Sequence, residues 1–272
     1  QFMQLNPIFQ LAAMRRQEPE LLDAARHYLS IPDLLSFWLC GVMANEFSHA
    51  TTTQLFNPVS GDWAWELIEK LELNPGMFGR IVPSGTILGS LRDDIAAEVG
   101  APGAVPVIAC GSHDTASAVA AVPSDNQGSY LYLSSGTWSL LGIESDAPLI
   151  NPKSLEYNFT NEGAANGRIR FLKNIMGMWI QQESIRSWEA DGETVTFSEL
   201  DAETLACAGF TAAIDPNDSR FLKPNSEGDS MPERIRSYCH EHAMPVPEKK
   251  GEYMVAIYRG LAEAYARYAD QI

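Results

Sequence analysis

The chain has 272 residues, of which 45% are apolar, and carries 19 Lys and Arg against 35 Asp and Glu, a net charge of −16. That acidic balance argues against a nucleic-acid surface, and no apolar run reaches the roughly 20 residues that a membrane helix needs. Four cysteines (Cys40, Cys110, Cys207, Cys239) form no CxxC pair and read as buried free thiols, and with nothing at Gln1 like a signal peptide a cytoplasmic protein is expected.

In chain order, the first third predicts helices over 18–29, 31–41 and 62–71. Between the last two, NEFSHATTTQLFNPVSGDW is rich in turn formers and short hydroxyls, and reads as an ordered loop with a tight turn at Asn57-Pro58. GTILGSL predicts a short strand and 92–99 a short helix. VPVIAC (105–110) is rich in β-branched residues and reads as a strand buried on both faces, and HDTASAVAAV then opens a helix of small residues. PSDNQG (123–128) has the composition of a linker and divides the chain into 1–123 and 124–272.

Beyond it, SYLYLSSGTWSLLGIES predicts a hairpin around residues 134–137. EYNFTNEGAANGRIRFLKN predicts a strand, a Gly/Asn turn and a strand, leading into a helix over 175–188. A helix near 199–208, a strand at 212–214, a loop over 215–230 and helices near 232–242 and from 248 onward follow. Strands mixed with helices on both sides of a seam predict α/β layers in two lobes. The last helical pattern runs to the final residue without a capping residue, and the chain does not begin with Met, so it is expected to be incomplete.

Three places carry candidate chemistry. Asp114, one residue past His113 at a strand-to-helix junction, is well placed to cap the helix. The same carboxylate, in a crevice at the end of a strand, can act as a general base. A relay of Ser112, His113 and Asp114 is not expected, because adjacent residues do not normally form a nucleophile–base–orienter line. Ser134-Ser135-Gly136-Thr137 reads either as a polar hairpin turn or as a phosphate clamp, with Gly136 admitting close backbone approach and Thr137 offering its hydroxyl and N–H. No Walker A or dinucleotide-binding glycine pattern occurs. Asn174 sits where a helix is expected to start, with Gln182 about two turns on. His49 with Thr51, Thr52 and Thr53 either lines a polyol site or satisfies loop backbone. The only ligand-like histidine spacing is His240-x-His242 on an expected surface helix, too little to predict a metal.

TTTQLFNPVSGDW, GSHDTASAV, LSSGTWSLLG and TNEGAANGRIRFLKNIMGMWIQQ, in this order, resemble consecutive motifs of the FGGY carbohydrate kinases, and within them of the rhamnulokinases. DPNDSRFLKPNSEGDSMPERIRSYC is similar to the region that follows. The resemblance implies an α/β fold of two actin-like (ribonuclease H-like) lobes, with 1–123 from the sugar-binding lobe and 124–272 from the nucleotide-binding lobe. It implies ATP-dependent phosphorylation of L-rhamnulose on its 1-hydroxyl, with ATP and Mg2+ as cofactors. Asp114 would be the base, His113, Thr115 and Asn174 would contact the sugar, and Gly136, Thr137 and Gln182 would belong to the nucleotide site. The family's N-terminal Asp-Gly phosphate loop and its Gly-rich adenine segment have no counterpart in the sequence, so an incomplete kinase is expected. A kinase for another ketose or polyol, such as fuculose or xylulose, and an inactive sugar-binding fragment are the alternatives. A small sugar and ATP are the expected partners, with no nucleic acid and no membrane.

Overall fold

Local chemistry sets most element boundaries. Pro occupies the first turn of Pro7–Gln17, Pro19–Ala24 and Ile31–Cys40, where its missing N–H costs no bond. The computed structural model describes residues 3–124, 130–226 and 228–272, so residues 125–128 of the expected linker lie outside the described residues.

The chain divides into two compact units, one built from Gln1–Tyr130 and Ile143–Leu172, the other from Leu131–Gly142 and Lys173–Ile272. In the first, Leu11, Leu22, Leu55, Trp63, Ile68, Leu73 and Phe78 form a continuous apolar core. Tyr28, Trp63 and Phe78 pack ring against ring within it. Asn45–Glu46 pairs in parallel with Ile81–Val82, and Thr160–Gly163 pairs antiparallel with the start of Ile169–Met176, Ile169 opposite Gly163 and Leu172 opposite Thr160.

Several expectations are corrected here. The 45–63 stretch is not all loop: Phe47–Ala50 is an α-helical turn and Thr51–Thr53 a 3₁₀ turn, and Asp62–Trp63 pairs with Phe56–Asn57 rather than opening a helix. The following helix is only Trp65–Lys70. Pro106–Ile108 is not a strand buried on both faces. It pairs antiparallel with Ile87–Ser90, and Ile108 is half exposed. The thiols are all free, but only Cys239 is buried and Cys110 is exposed.

In the second unit, Tyr132–Ser135 and the start of Trp138–Ser145 form the expected hairpin, Tyr132 opposite Gly142 and Ser135 opposite Ser139. Trp179–Ala190, Phe197–Ala206, Met231–Glu241 and Lys250–Ala269 supply the helices. Residues 212–214 form no strand; instead Ile214 donates its N–H to the Ala256 carbonyl of the last helix. Gly260 lets that helix approach so closely, since a Cβ there would lie 1.9 Å from the Ile214 oxygen. Among the described residues no helix is long and apolar enough to cross a membrane.

Candidate active site

Asp114 is the first residue of the helix Asp114–Ala120, so the N-cap is His113, which makes no side-chain capping bond. The capping reading of Asp114 therefore fails in its ordinary form. Its Oδ1 accepts the Thr115 N–H at 2.6 Å and the Thr115 hydroxyl at 3.2 Å, while its side chain remains 96% exposed. A carboxylate in a helix's first turn gains from the amide dipoles without being consumed by them. His113 lies beside it, Nδ1 to Oδ1 at 3.6 Å. Burial, joined by the Arg170 charge and opposed by Glu162 and Asp114, holds the His113 ring below its ordinary value, so it is neutral at neutral pH.

The turn that delivers these residues is fastened from behind. Glu46, buried at the end of its short strand, accepts the Ser112 N–H at 3.1 Å and the Ser112 hydroxyl at 2.9 Å, and Ser48 Oγ accepts the His113 N–H at 3.2 Å. The Glu46 N–H is itself held by Asp33 at 3.0 Å. Burial pushes the Glu46 carboxyl up, but the hydrogen bonds from Ser48, Ser84 and Ser112 outweigh it and leave the carboxyl below its usual value. Nearby, fully buried Arg170 donates to the Gly163 carbonyl at 3.0 Å and to Glu162 at 3.2 Å. The Thr51, Thr52 and Thr53 hydroxyls donate to the carbonyls three residues back, which answers the polyol question for them: they satisfy backbone. The His49 ring stands edge-on to His113, centroids 6.2 Å apart.

The second unit holds the other group of candidate residues. Thr137 Oγ1 faces Gln182 Oε1 at 3.4 Å across the exposed hairpin turn. The turn's carbonyls accept the amides that lead into Trp179–Ala190: Gly136 from Met178 at 2.9 Å, Thr137 from Gly177 at 3.1 Å and from Trp179 at 3.2 Å. The close backbone approach read at Gly136 belongs to Gly177. A Cβ on Gly136 would meet nothing nearer than 3.6 Å, whereas one on Gly177 would lie 2.6 Å from the Gly136 oxygen. Asn174 does not start a helix; it is half-buried within the strand Ile169–Met176, five residues before the helix begins at Trp179. The geometry thus unites Asp114, His113 and Thr115 in one place, and Gly136, Thr137 and Gln182 in another. Sequence reading passed over Glu46, Ser84 and Gly177. Of these only Gly177, between an apolar run and a helical one, left a local signal.

Residues 1–120 match the N-terminal domain of the FGGY family of carbohydrate kinases, and residues 131–272 match its C-terminal domain. The chain belongs to this family. It is 40% identical over all its residues to a rhamnulokinase of Oceanobacillus iheyensis and 42% identical to one of Halalkalibacterium halodurans, covering 55% and 56% of those proteins. It therefore spans about half the length of the curated relatives it matches. Among solved structures it is similar to a ligand-bound xylulose kinase from Lactobacillus acidophilus, with a TM-score of 0.71 at 16% identity over 98% of this chain and 52% of that one. A glycerol kinase from Plasmodium falciparum gives a TM-score of 0.63 at 12% identity, over 97% of this chain and 51% of that one. The fold is accordingly the mixed α/β, actin-like ATPase fold of the FGGY sugar kinases.

Proposed function

We propose that this chain carries parts of both domains of an ATP-dependent kinase that phosphorylates L-rhamnulose on its 1-hydroxyl, with Asp114 as general base. The observation that carries the reading is Asp114 itself: an exposed carboxylate fixed at a helix start, in a chain 40–42% identical to rhamnulokinases throughout. Residues 1–123 are assigned to the sugar-binding domain and 124–272 to the nucleotide-binding domain. His113, Thr115 and Asn174 are assigned to the sugar, and Gly136, Thr137 and Gln182 to the nucleotide.

A primary hydroxyl is a weak nucleophile at neutral pH. In the proposed step Asp114 takes its proton as O1 forms a bond to the γ-phosphorus, and the bond from that phosphorus to the ADP oxygen breaks in line. The proton then passes from Asp114 to solvent. Thr115 leaves one Asp114 oxygen uncommitted, and the neutral His113 ring can share a hydrogen bond with a sugar hydroxyl without carrying a competing charge. Mg2+ is assigned to the nucleotide phosphates, as membership of the family implies. When bound there it would neutralise phosphate charge.

The test is ADP release with L-rhamnulose, measured on a polypeptide of the relatives' full length that carries this sequence. Asp114→Asn is expected to lower kcat by about 10²- to 10⁴-fold; turnover near that of the parent would remove Asp114 from the role of base. A panel including fuculose and xylulose is expected to favour rhamnulose, and a stronger preference for another sugar would overturn the substrate assignment.

A further inference from the structure

The helix that begins at Asp114 has seven residues and no side-chain cap, so its start must be fixed by something outside it. Glu46 is placed to do this. It is 2% exposed, and its oxygens gather hydroxyl and amide donors from three separate segments. Oε2 accepts from the Ser48 hydroxyl at 2.5 Å, the Ser112 hydroxyl at 2.9 Å, the Ser112 N–H at 3.1 Å and the His49 N–H at 3.3 Å. Oε1 accepts the Ser84 hydroxyl at 2.6 Å. Ser48, oriented by its bond to Glu46, accepts the His113 N–H, so both residues ahead of Asp114 are tied to this one carboxylate. Burying a carboxylate is costly unless donors surround it, and here Ser112 of the turn supplies two of the five donors, with Ser48, His49 and Ser84 the others.

We propose that Glu46 is a positioning residue for Asp114: it pins Ser112 and His113 so that the Asp114 carboxylate meets the sugar hydroxyl in one orientation. The proposal rests on Asp114 being the base. Glu46 touches no reacting atom; it acts through the backbone of 112–113. The pattern of its bonds makes a specific demand. Four donors converge on Oε2 and one hydroxyl on Oε1, so a glutamine with its oxygen at the Oε2 position keeps all four. Its amide nitrogen then donates to Ser84 Oγ, which reverses its role. Shape and hydrogen bonding, not charge, are what the turn requires.

Glu46→Gln, Glu46→Ala and Ser48→Ala separate the possibilities. In the full-length polypeptide, Glu46→Gln is expected to stay within about threefold of the parent in kcat, while a folded Glu46→Ala loses about 10- to 100-fold, with KM for ATP unchanged. A folded Glu46→Ala with parental kcat, or a Glu46→Gln that falls as far as Glu46→Ala, would overturn the proposal. Should Glu46→Ala not fold, Ser48→Ala removes the acceptor of the His113 amide and is expected to lower kcat about threefold or more; parental kcat there overturns it equally. A ligand-free measurement keeps this distinct from the kinase reading. His113 ring titration by NMR in the 272-residue chain reports the turn, with Glu162, Arg170, Asp114 and His49 as the groups facing that ring. In Glu46→Ala the value is expected to rise toward that of an ordinary histidine, and in Glu46→Gln to stay. If L-rhamnulose is not turned over by the parent, the kinase reading fails alone, and an unmoved His113 titration in Glu46→Ala still overturns the positioning role.

Discussion

The two candidate turns are held by opposite means. The turn before Asp114 hangs on a buried side chain whose partners come from 38 and 66 residues away in sequence. The Gly136-Thr137 turn is held chiefly by backbone, its carbonyls answering amides at the entrance of a helix, with a glycine clearing the space. A side-chain anchor is adjustable: a residue that restores the donors and acceptors restores the turn. A backbone anchor fixes position through excluded volume, and no choice of polar side chain repairs an intruding Cβ. The first turn should therefore be sensitive to hydrogen-bonding pattern, and the second to size.

The largest expected effect probes size. Gly177→Ala places a Cβ 2.6 Å from the Gly136 oxygen and 2.9 Å from the Ser139 nitrogen, both backbone atoms that cannot turn aside. It is expected to cost about 3 kcal/mol in urea unfolding. Gly136→Ala, whose Cβ would stand 3.6 Å from the Trp138 oxygen, is expected to cost less than about 1 kcal/mol. Equal losses at the two glycines would break the contrast between the turns.

Next is a charge buried in the second unit. Lys173 is 8% exposed over the ring of Tyr268, and burial, with repulsion from Arg267 and partial relief from Asp215, brings its pKa down to about 8. The unfolded chain holds that proton to about pH 10.5, so between these values it binds more protons than the folded chain, and stability rises with pH. The cost is fully present at pH 7, where both states are charged. Lys173→Met is expected to raise stability by about 2 kcal/mol at pH 7 and to lose that advantage as pH passes 10.5, read from unfolding curves across that range. A gain that does not change with pH would mean that packing, not desolvation, sets it.

How much of this was legible in the sequence follows from whether a signal is local. The hairpin at 134–137 announced itself through two apolar runs around a Gly-containing turn, and the helix expected near 232–242 forms as Met231–Glu241, its start closed by a capping box of Ser230 and Glu233 that the expectation had not used. Asn174 misled because a capping residue before an apolar run looks the same whether a helix or a buried strand follows. Pairing decided it, since seven of the eight residues of Ile169–Met176 are buried. Glu46 could not be found at all: a glutamate among short hydroxyls reads as solvated loop, and its burial depends on Ser84 and Ser112 arriving from elsewhere. Asp114 was singled out by its motif, yet the motif says nothing of what holds it.

The smallest expected effect on stability tests the second turn's function. Thr137 Oγ1 meets Gln182 at 3.4 Å on an exposed surface, a bond too long and too wet to contribute much. Thr137→Val keeps the branched shape and removes the hydroxyl, so unfolding should change by less than about 0.5 kcal/mol. If the turn clamps phosphate, as the proposed function requires, the same change removes a donor aimed at the ligand. ADP affinity, measured by calorimetry on the full-length polypeptide, is then expected to fall about 5- to 20-fold. The turn's carbonyls are already engaged by Gly177, Met178 and Trp179, so the Thr137 hydroxyl can be offered to a ligand without disturbing that anchor. Parental ADP affinity in Thr137→Val would leave the turn a structural element and move the nucleotide site elsewhere.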